Sequence, residues 1–545
     1  MRGGAVTRDY PRRDSRIALG VLALAFITIL IGGALAGLFA AGAGDIAGAL
    51  AAFDPYLLRV ARFTLWQAAL STLLSVLPAI FVARALARHP AFPGRAFILQ
   101  LFAVPLALPA LVAALGVLSL YGRAGYFAGI LSSIGGSDWP GIYGLSGILV
   151  AHVFFNLPLA TRLCLESLQT IPADQWRLAS QLGMGPGAAF RLIEGPALRQ
   201  ALPGIAGLVF MLCVTSFTIV LTLGGGPAAS TLEVAIYQAL RFDFDPARAV
   251  ALTLLQIGLT AIVVALLARL GADMTGDASL PVAPRRYIAN SAAGTALDVI
   301  LILAALAFVA GPMAATVASG LEADLARLAG EASVRKAAAT SIVLAVVSAV
   351  LAAALSLALA MARRALTLGR EGGRRPLLAF FTDTGAGFVL VVPPIVIGAG
   401  WFLVLRHLGD AFAAAPVMVA AVNAVMAMPF AIRAVRPAYD AASERHERLA
   451  AQLGIAGWTR FRLIDWPALR RPLATAFAFA MALSLGDLGV IALFGSDQVQ
   501  TLPYLLLARM GSYRTQDAAG LALLLGLVCL LLVFAADWLG KERNP

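Results

Sequence analysis

Lysine is nearly absent from this chain of 545 residues: Lys336 and Lys541 are the only two. A phosphate-cradling P-loop needs a Gly-Lys-Ser/Thr run, in which backbone N–H groups and the lysine hold the phosphates. Lys336 precedes Ala337 and Lys541 precedes Glu542, so the chain has no such loop, and any ATP that drives it is bound by another polypeptide. Histidine and cysteine are also scarce, with 4 and 3 copies. Cys164, Cys213 and Cys529 sit singly in apolar runs, and no CxxC or Cys/His cluster marks a metal or redox centre. Charged residues make up only 13%, against about a quarter in a soluble globular chain. No nucleophile–base or carboxylate pair supports a membrane enzyme, and neither a cofactor nor a metal is expected.

What is abundant is apolar: 60% of residues are hydrophobic. Such an excess cannot be hidden in one soluble core, so the chain reads as an all-α polytopic protein of the lipid bilayer. Twelve segments are long enough to span, near 17–41, 62–84, 97–120, 145–165, 202–223, 248–269, 295–318, 338–362, 379–405, 413–433, 473–495 and 518–539. Each covers about 20 residues or more, the length needed to cross about 30 Å of hydrocarbon. The first could be a signal peptide, with Ala-Gly-Ala at 41–43 resembling a cleavage site. Its apolar run exceeds the roughly 7–15 residues of a signal core, which favours an uncleaved first helix with its N-terminus inside.

The net charge of +12 comes almost entirely from arginine. With the N-terminus inside, 30 of the 41 Lys+Arg residues fall on inside segments, as the positive-inside rule expects. The arginines therefore read as topology signals rather than a nucleic-acid surface, and both termini are expected in the cytoplasm.

The chain also repeats itself. Residues 177–199 read RLASQLGMGPGAAFRLIEGPALR and residues 448–470 read RLAAQLGIAGWTRFRLIDWPALR, with 14 of 23 positions identical at an offset of 271. Each half then holds six spans, with the repeated loop between its fourth and fifth. An even span number gives a parallel repeat. The spacing divides the chain into an N-terminus and first helix (1–56), a first transmembrane domain (57–270), a cytoplasmic linker (271–293), a seventh helix with its outer loop (294–330) and a second transmembrane domain (331–540).

In each loop the pattern predicts a short amphipathic helix, over Asp174–Leu182 and Glu444–Leu453, stopped by Gly183 and Gly454. A second helical stretch, from about Gly187 to Glu194 in the first copy, leads to Pro196, and Pro467 holds that place in the second. Such a helix is suited to a groove in a soluble partner and can carry rigid-body motion into the spans; a solvated interfacial hairpin is the plain alternative. Ala179, Leu182, Gly183 and Pro196, with Ala450, Leu453, Gly454 and Pro467, resemble the coupling-loop signature of type I ABC import permeases. Where the family signature usually opens with glutamate, this chain has Arg177 and Arg448. Twelve spans in one chain resemble the fused permeases of the iron/thiamine subgroup. The stretches Tyr121–Tyr126, Tyr143–Leu163, Leu223–Ala249, Gly486–Gly495 and Gly511–Asp517 are similar to permeases of bacterial thiamine importers. That resemblance implies the type I importer fold in the inner membrane, a separate dimer of ATP-binding ABC subunits and a periplasmic thiamine-binding protein. A permease for ferric ion or a polyamine shares the coupling loops. A twelve-span secondary transporter leaves the duplicated loop without a reason.

Several polar residues fall inside the spans, where they are paired or functional. Asp487 in SLGDLGV, with Ser216 opposite it by the offset, is either a polar patch on a translocation path or a packing bond beside Gly486 and Gly489. His152 and Asn156 lie one turn apart on the fourth span, and Asn423 matches His152; they either line the same path or bond between helices. Asp383 reads as a carboxylate near a helix N-terminus. Pro105, Pro109, Pro393 and Pro394 mark breaks or kinks, and Phe154, Phe155, Phe210 and Phe217 are available for stacking on a cation or for lipid contact. Thr501–Gln516, with Tyr504, Arg509, Tyr513 and Arg514, is expected to help dock the periplasmic protein.

Overall fold

The computed structural model describes residues 13–44, 54–135, 138–269, 291–368, 377–382, 389, 392–409, 411–455, 457–496 and 498–540. All regular structure among them is helical, as backbone groups in hydrocarbon require. Nine described helices are long and apolar enough to cross a membrane. They account for the expected spans except those near 97–120, 379–405 and 473–495, which are built from shorter pieces. In the first, the segments Arg95–Ala107 and Ala110–Tyr121 meet at a bend of 112°. Pro109 forces Leu108 into extended backbone (ψ 137°), so the helix cannot run through. In the last, the helix Trp466–Gly486 stops at Asp487 (ψ 133°) and resumes over Gly489–Phe494. The helix Pro394–Leu408 has 15 residues and starts behind Pro393. Asp383 and the expected linker up to residue 290 lie outside the described residues.

The chain forms two compact units. One comprises Ala40–Ala337 and Gln500–Leu530. Its central helix, Pro55–Arg88, packs along Leu145–Gln169 and Gly195–Val214, and the helix Ala292–Leu321 packs on Ala110–Tyr121. Lipid is as apolar as leucine, so close packing and polar bonds, not water exclusion, hold such helices together. Gly116 shows the packing: a Cβ there would collide with the Pro312 carbonyl and the Thr316 hydroxyl. At one end of the central helix, Arg88 Nη1 donates to Asp298 Oδ1 at 3.1 Å, and His89 Nε2 lies 3.2 Å from Asp298 Oδ2. The buried Asp298 carboxylate is thereby paired with the Arg88 guanidinium and a ring nitrogen of His89.

The other unit comprises Met1–Phe39, Ala338–Val499 and Leu531–Pro545. Alanine replaces bulk at its centre, where Ala349, Ala352, Ala424, Ala427 and Ala480 meet and allow helix backbones to approach. The first helix, Arg13–Gly44, uses glycine for the same purpose. Gly33 faces the Trp401 ring, Trp401 Nε1 donates to the Leu30 carbonyl at 2.7 Å, and Gly400 leaves no room for a Cβ beside Ala34.

Candidate functional site

The first repeated loop folds as a helix over Ala173–Gln181, behind Pro172. Asp174 in the first turn suits the positive end of the helix dipole, and its Oδ1 accepts from Arg177 Nη1 at 3.1 Å on the open surface. The helix ends on Gly183 at φ +63°. There the Gly183 N–H donates to the Ser180 carbonyl at 3.1 Å and the Met184 N–H to the Ala179 carbonyl at 3.0 Å. This paired closure requires a left-handed residue, which glycine adopts without a Cβ penalty. The second copy repeats it: Gly454 has φ +66° and the Ile455 N–H donates to the Ala450 carbonyl at 2.9 Å.

The copies differ where they begin. The second loop has no separate helix start: one helix runs from Ala415 to Gln452 and carries Arg448. At the place of Pro172 the second copy has Ser443, whose N–H lets the helix continue.

The signature residues divide into an inner and an outer set. Ala179 and Ala450 are 1% and 2% exposed, whereas Leu182 and Leu453 are 68% and 64% exposed. Leu178 and Leu192 are also exposed, as are their counterparts Leu449 and Leu463. The same large apolar side chains are thus left uncovered by the rest of the chain at matched positions of both copies. After each stop come a short helix and a widened π-turn, Phe190–Glu194 and Phe461–Asp465. Pro196 and Pro467 follow in the first turn of the next helix, where an unpaired N–H is ordinary.

Neither Arg84 nor Arg460 stood out in the sequence, yet each holds one loop. Glu194 is buried and accepts from Arg84 Nε at 2.7 Å, while the Arg84 guanidinium lies 4.0 Å from the Phe190 ring centre. The corresponding acid, Asp465, instead faces Arg460 Nε at 3.7 Å. Arg460 also donates to both carboxylate oxygens of Glu447, at 2.8 and 2.9 Å. Burial pushes the Asp465 carboxyl above its usual range, and Arg460 and Arg16 oppose that shift. The acids were legible as Glu/Asp within the repeat; their cations come from a distant span in one case and from a position that is Ala189 in the other copy.

Of the polar residues inside the spans, Ser216 and Asp487 both occupy breaks. Ser216 is buried between the helices Gly195–Val214 and Thr218–Leu223. Asp487 Oδ1 accepts from the Gly489 N–H at 3.2 Å, and its buried Oδ2 has no hydrogen-bond partner among the described residues. Asn423 Nδ2 donates to Ser484 Oγ at 3.0 Å, and Ser484 donates to Ser348 Oγ at 3.3 Å. In the first half, His152 Nδ1 lies 2.9 Å from Ser71 Oγ, and Asn156 Nδ2 donates to Cys213 Sγ at 3.3 Å. His152, Asn156 and Asn423 therefore all bond between helices. Phe154 and Phe155 pack edge to face at 5.3 Å, as do Phe217 and Tyr237 at 5.4 Å. Sequence reasoning passed over Glu233, which is buried in the helix Leu232–Arg241 with no partner for Oε1 among the described residues.

The segment expected to dock a periplasmic protein is partly committed elsewhere. Arg509 is buried, donates to Asp517 Oδ2 at 2.7 Å and binds Glu331. Arg327 joins both acids, and Arg514 adds a contact of 3.2 Å to Asp517. Tyr513, by contrast, projects at φ +59° and is open to solvent. The hydrogen bond from Arg509, with Arg327 alongside, holds the Glu331 carboxyl below its usual range. A depressed carboxyl stabilises the fold fully above its unfolded pKa and loses that contribution as pH falls through the folded one. Thermal stability of the purified protein is therefore expected to fall below about pH 4.5, and Glu331→Gln should flatten part of that acid limb. Superimposable profiles for the two proteins would contradict the assignment.

Comparison with known proteins gives the family of the chain. The family described as binding-protein-dependent transport system inner membrane component matches residues 79–276 and 372–541. The thiamine transport system permease protein ThiP of Brucella abortus (strain 2308) is 58% identical over 525 residues, covering 96% of this chain and 95% of that protein. The ThiP protein of Escherichia coli (strain K12) is 43% identical over 480 residues, 88% of each chain. That of Haemophilus influenzae is 38% identical over 522 residues, 95% of each. The matched segments fall in both halves and each includes one repeated loop, so the chain belongs to the inner-membrane component family of binding-protein-dependent transport systems.

Proposed function

We propose that this chain is the permease of an ATP-driven importer that carries thiamine from periplasm to cytoplasm. The cargo follows from the thiamine permeases to which the chain is similar along nearly its whole length. The observation that carries the mechanism is the pair of glycine-stopped loop helices with leucines exposed at matched positions. These helices sit in grooves of two ATP-binding subunits, and both termini lie on the same cytoplasmic side. ATP binding draws the two subunits together and moves the loops, which turns the bundle outward to receive cargo from a periplasmic thiamine-binding protein. Hydrolysis resets it. The coupling free energy is the difference in loop–partner contact between the two states. This chain performs no chemistry of its own.

Within the bundle, Asp487 and Ser216 mark breaks in matched helices, where unwound backbone and a buried carboxylate favour a passing cation. His152 and Asn156 in one unit, and Asn423 in the other, are further candidates for a translocation path. Uptake of labelled thiamine in cells lacking only this gene should vanish and should return with the gene, unaffected by excess ferric ion. Uptake indifferent to the gene would remove thiamine as the cargo. Inhibition by ferric ion or a polyamine would redirect the assignment to that cargo.

A further inference from the structure

The two loops differ most where an exposed aromatic patch appears in one of them. In the second copy, Trp458 is 74% exposed and stacks on Phe461, with ring centres 5.2 Å apart and planes 27° apart. Trp466, also exposed, flanks Phe461 at 6.2 Å. The first copy has Gly187 and Gly195 at the two tryptophan positions, and its exposed Phe190 has the Arg84 guanidinium, not a second aromatic ring, beside it. We propose that the second loop grips its ATP-binding subunit through this aromatic surface, so that the two loops are unequal docking sites. The inference rests on the coupling role proposed above and extends it.

Two observations favour a protein occupant. Trp458 follows the stop at Gly454 by four residues, so the aromatic residues belong to the same loop as the exposed Leu449 and Leu453 of the docking helix. The surface is also held in place beforehand. Arg460, two residues on, anchors the backbone here through Glu447 and Asp465, and the stacking of Trp458 on Phe461 limits the side-chain freedom lost on binding. A rigid exposed tryptophan is a frequent centre of binding energy.

The test uses the full permease in nanodiscs, with and without anionic lipid, titrated with the purified ATP-binding subunit of the same transporter. Trp458→Ala should weaken binding at least tenfold in both kinds of disc. Gly187→Trp supplies a gain that does not depend on a destabilised variant, because a Cβ at Gly187 meets nothing within 4 Å. It should tighten binding and offset Trp458→Ala. Unchanged binding in both variants would overturn the proposal, as would a loss seen only in anionic discs, which assigns the patch to lipid. The pair Leu182→Asp with Leu453→Asp separates the two failures. If that pair abolishes binding while Trp458→Ala does not, docking stands and the inequality falls. If none of them matters, the docking role itself falls.

Discussion

Valine at both Gly183 and Gly454 is expected to cut ATP-coupled uptake at least tenfold while the permease stays in the membrane. A Cβ at either glycine meets nothing within 4 Å, so the change introduces no clash. The penalty lies in the backbone, at φ +63° and +66°. A left-handed conformation costs an L-residue about 1–2 kcal/mol, and a β-branched side chain is the least suited to it. At about 1.4 kcal/mol per factor of ten, each site alone approaches that loss. The valine variant escapes by unwinding the stop, which surrenders the Met184 and Ile455 bonds and turns Leu182 and Leu453 away from their partner. Asparagine, which tolerates this conformation, should keep most of the uptake. Uptake and ATPase rate measured together give the answer: continued ATP hydrolysis without transport is expected, and normal uptake in the valine pair would defeat the coupling assignment.

Arg460→Ala should produce the largest loss of stability. Its guanidinium is the hydrogen-bonded partner of Glu447 and faces the buried Asp465. Removing one member of a buried ion cluster leaves the others uncompensated, which costs about 3–5 kcal/mol. Arg16 also acts on Asp465, and that places the loss toward the lower end. Lysine at this position keeps the charge but not the two-pronged geometry and should rescue only in part. Thermal unfolding of the detergent-purified permease reads both variants. A melting temperature unchanged by Arg460→Ala would show that the cluster does not hold the second loop.

Much of this architecture could be read before any coordinates. The scarcity of charge and the apolar run lengths led to a helical membrane bundle, and duplication within one chain made the loops visible without any second sequence. Gly183 and Gly454 showed themselves as stops because left-handed closure leaves a residue-specific trace. The loop braces did not, because their signals are long-range. Arg84 is 110 residues from Glu194, and nothing in the local sequence ties them. The uninterrupted helix Ala415–Gln452 was legible in the exchange of Pro172 for Ser443, but likeness between the copies suggested two separate helix starts. Arg509 stood in an amphipathic stretch and looked like surface, whereas Glu331, 178 residues away, together with the nearby Asp517, draws it inward. The breaks at Leu108 and Asp487 were signalled by proline and glycine, but not which side chains fill them.

The most direct measurement is accumulation of labelled thiamine in proteoliposomes that hold this chain with its ATP-binding subunits, with loaded binding protein on one face and ATP on the other. Accumulation that requires ATP, ignores excess ferric ion and fails when both loop glycines are valine is the expected result. Accumulation without ATP, or none with thiamine under any condition, would contradict an ATP-coupled thiamine permease driven through these two loops.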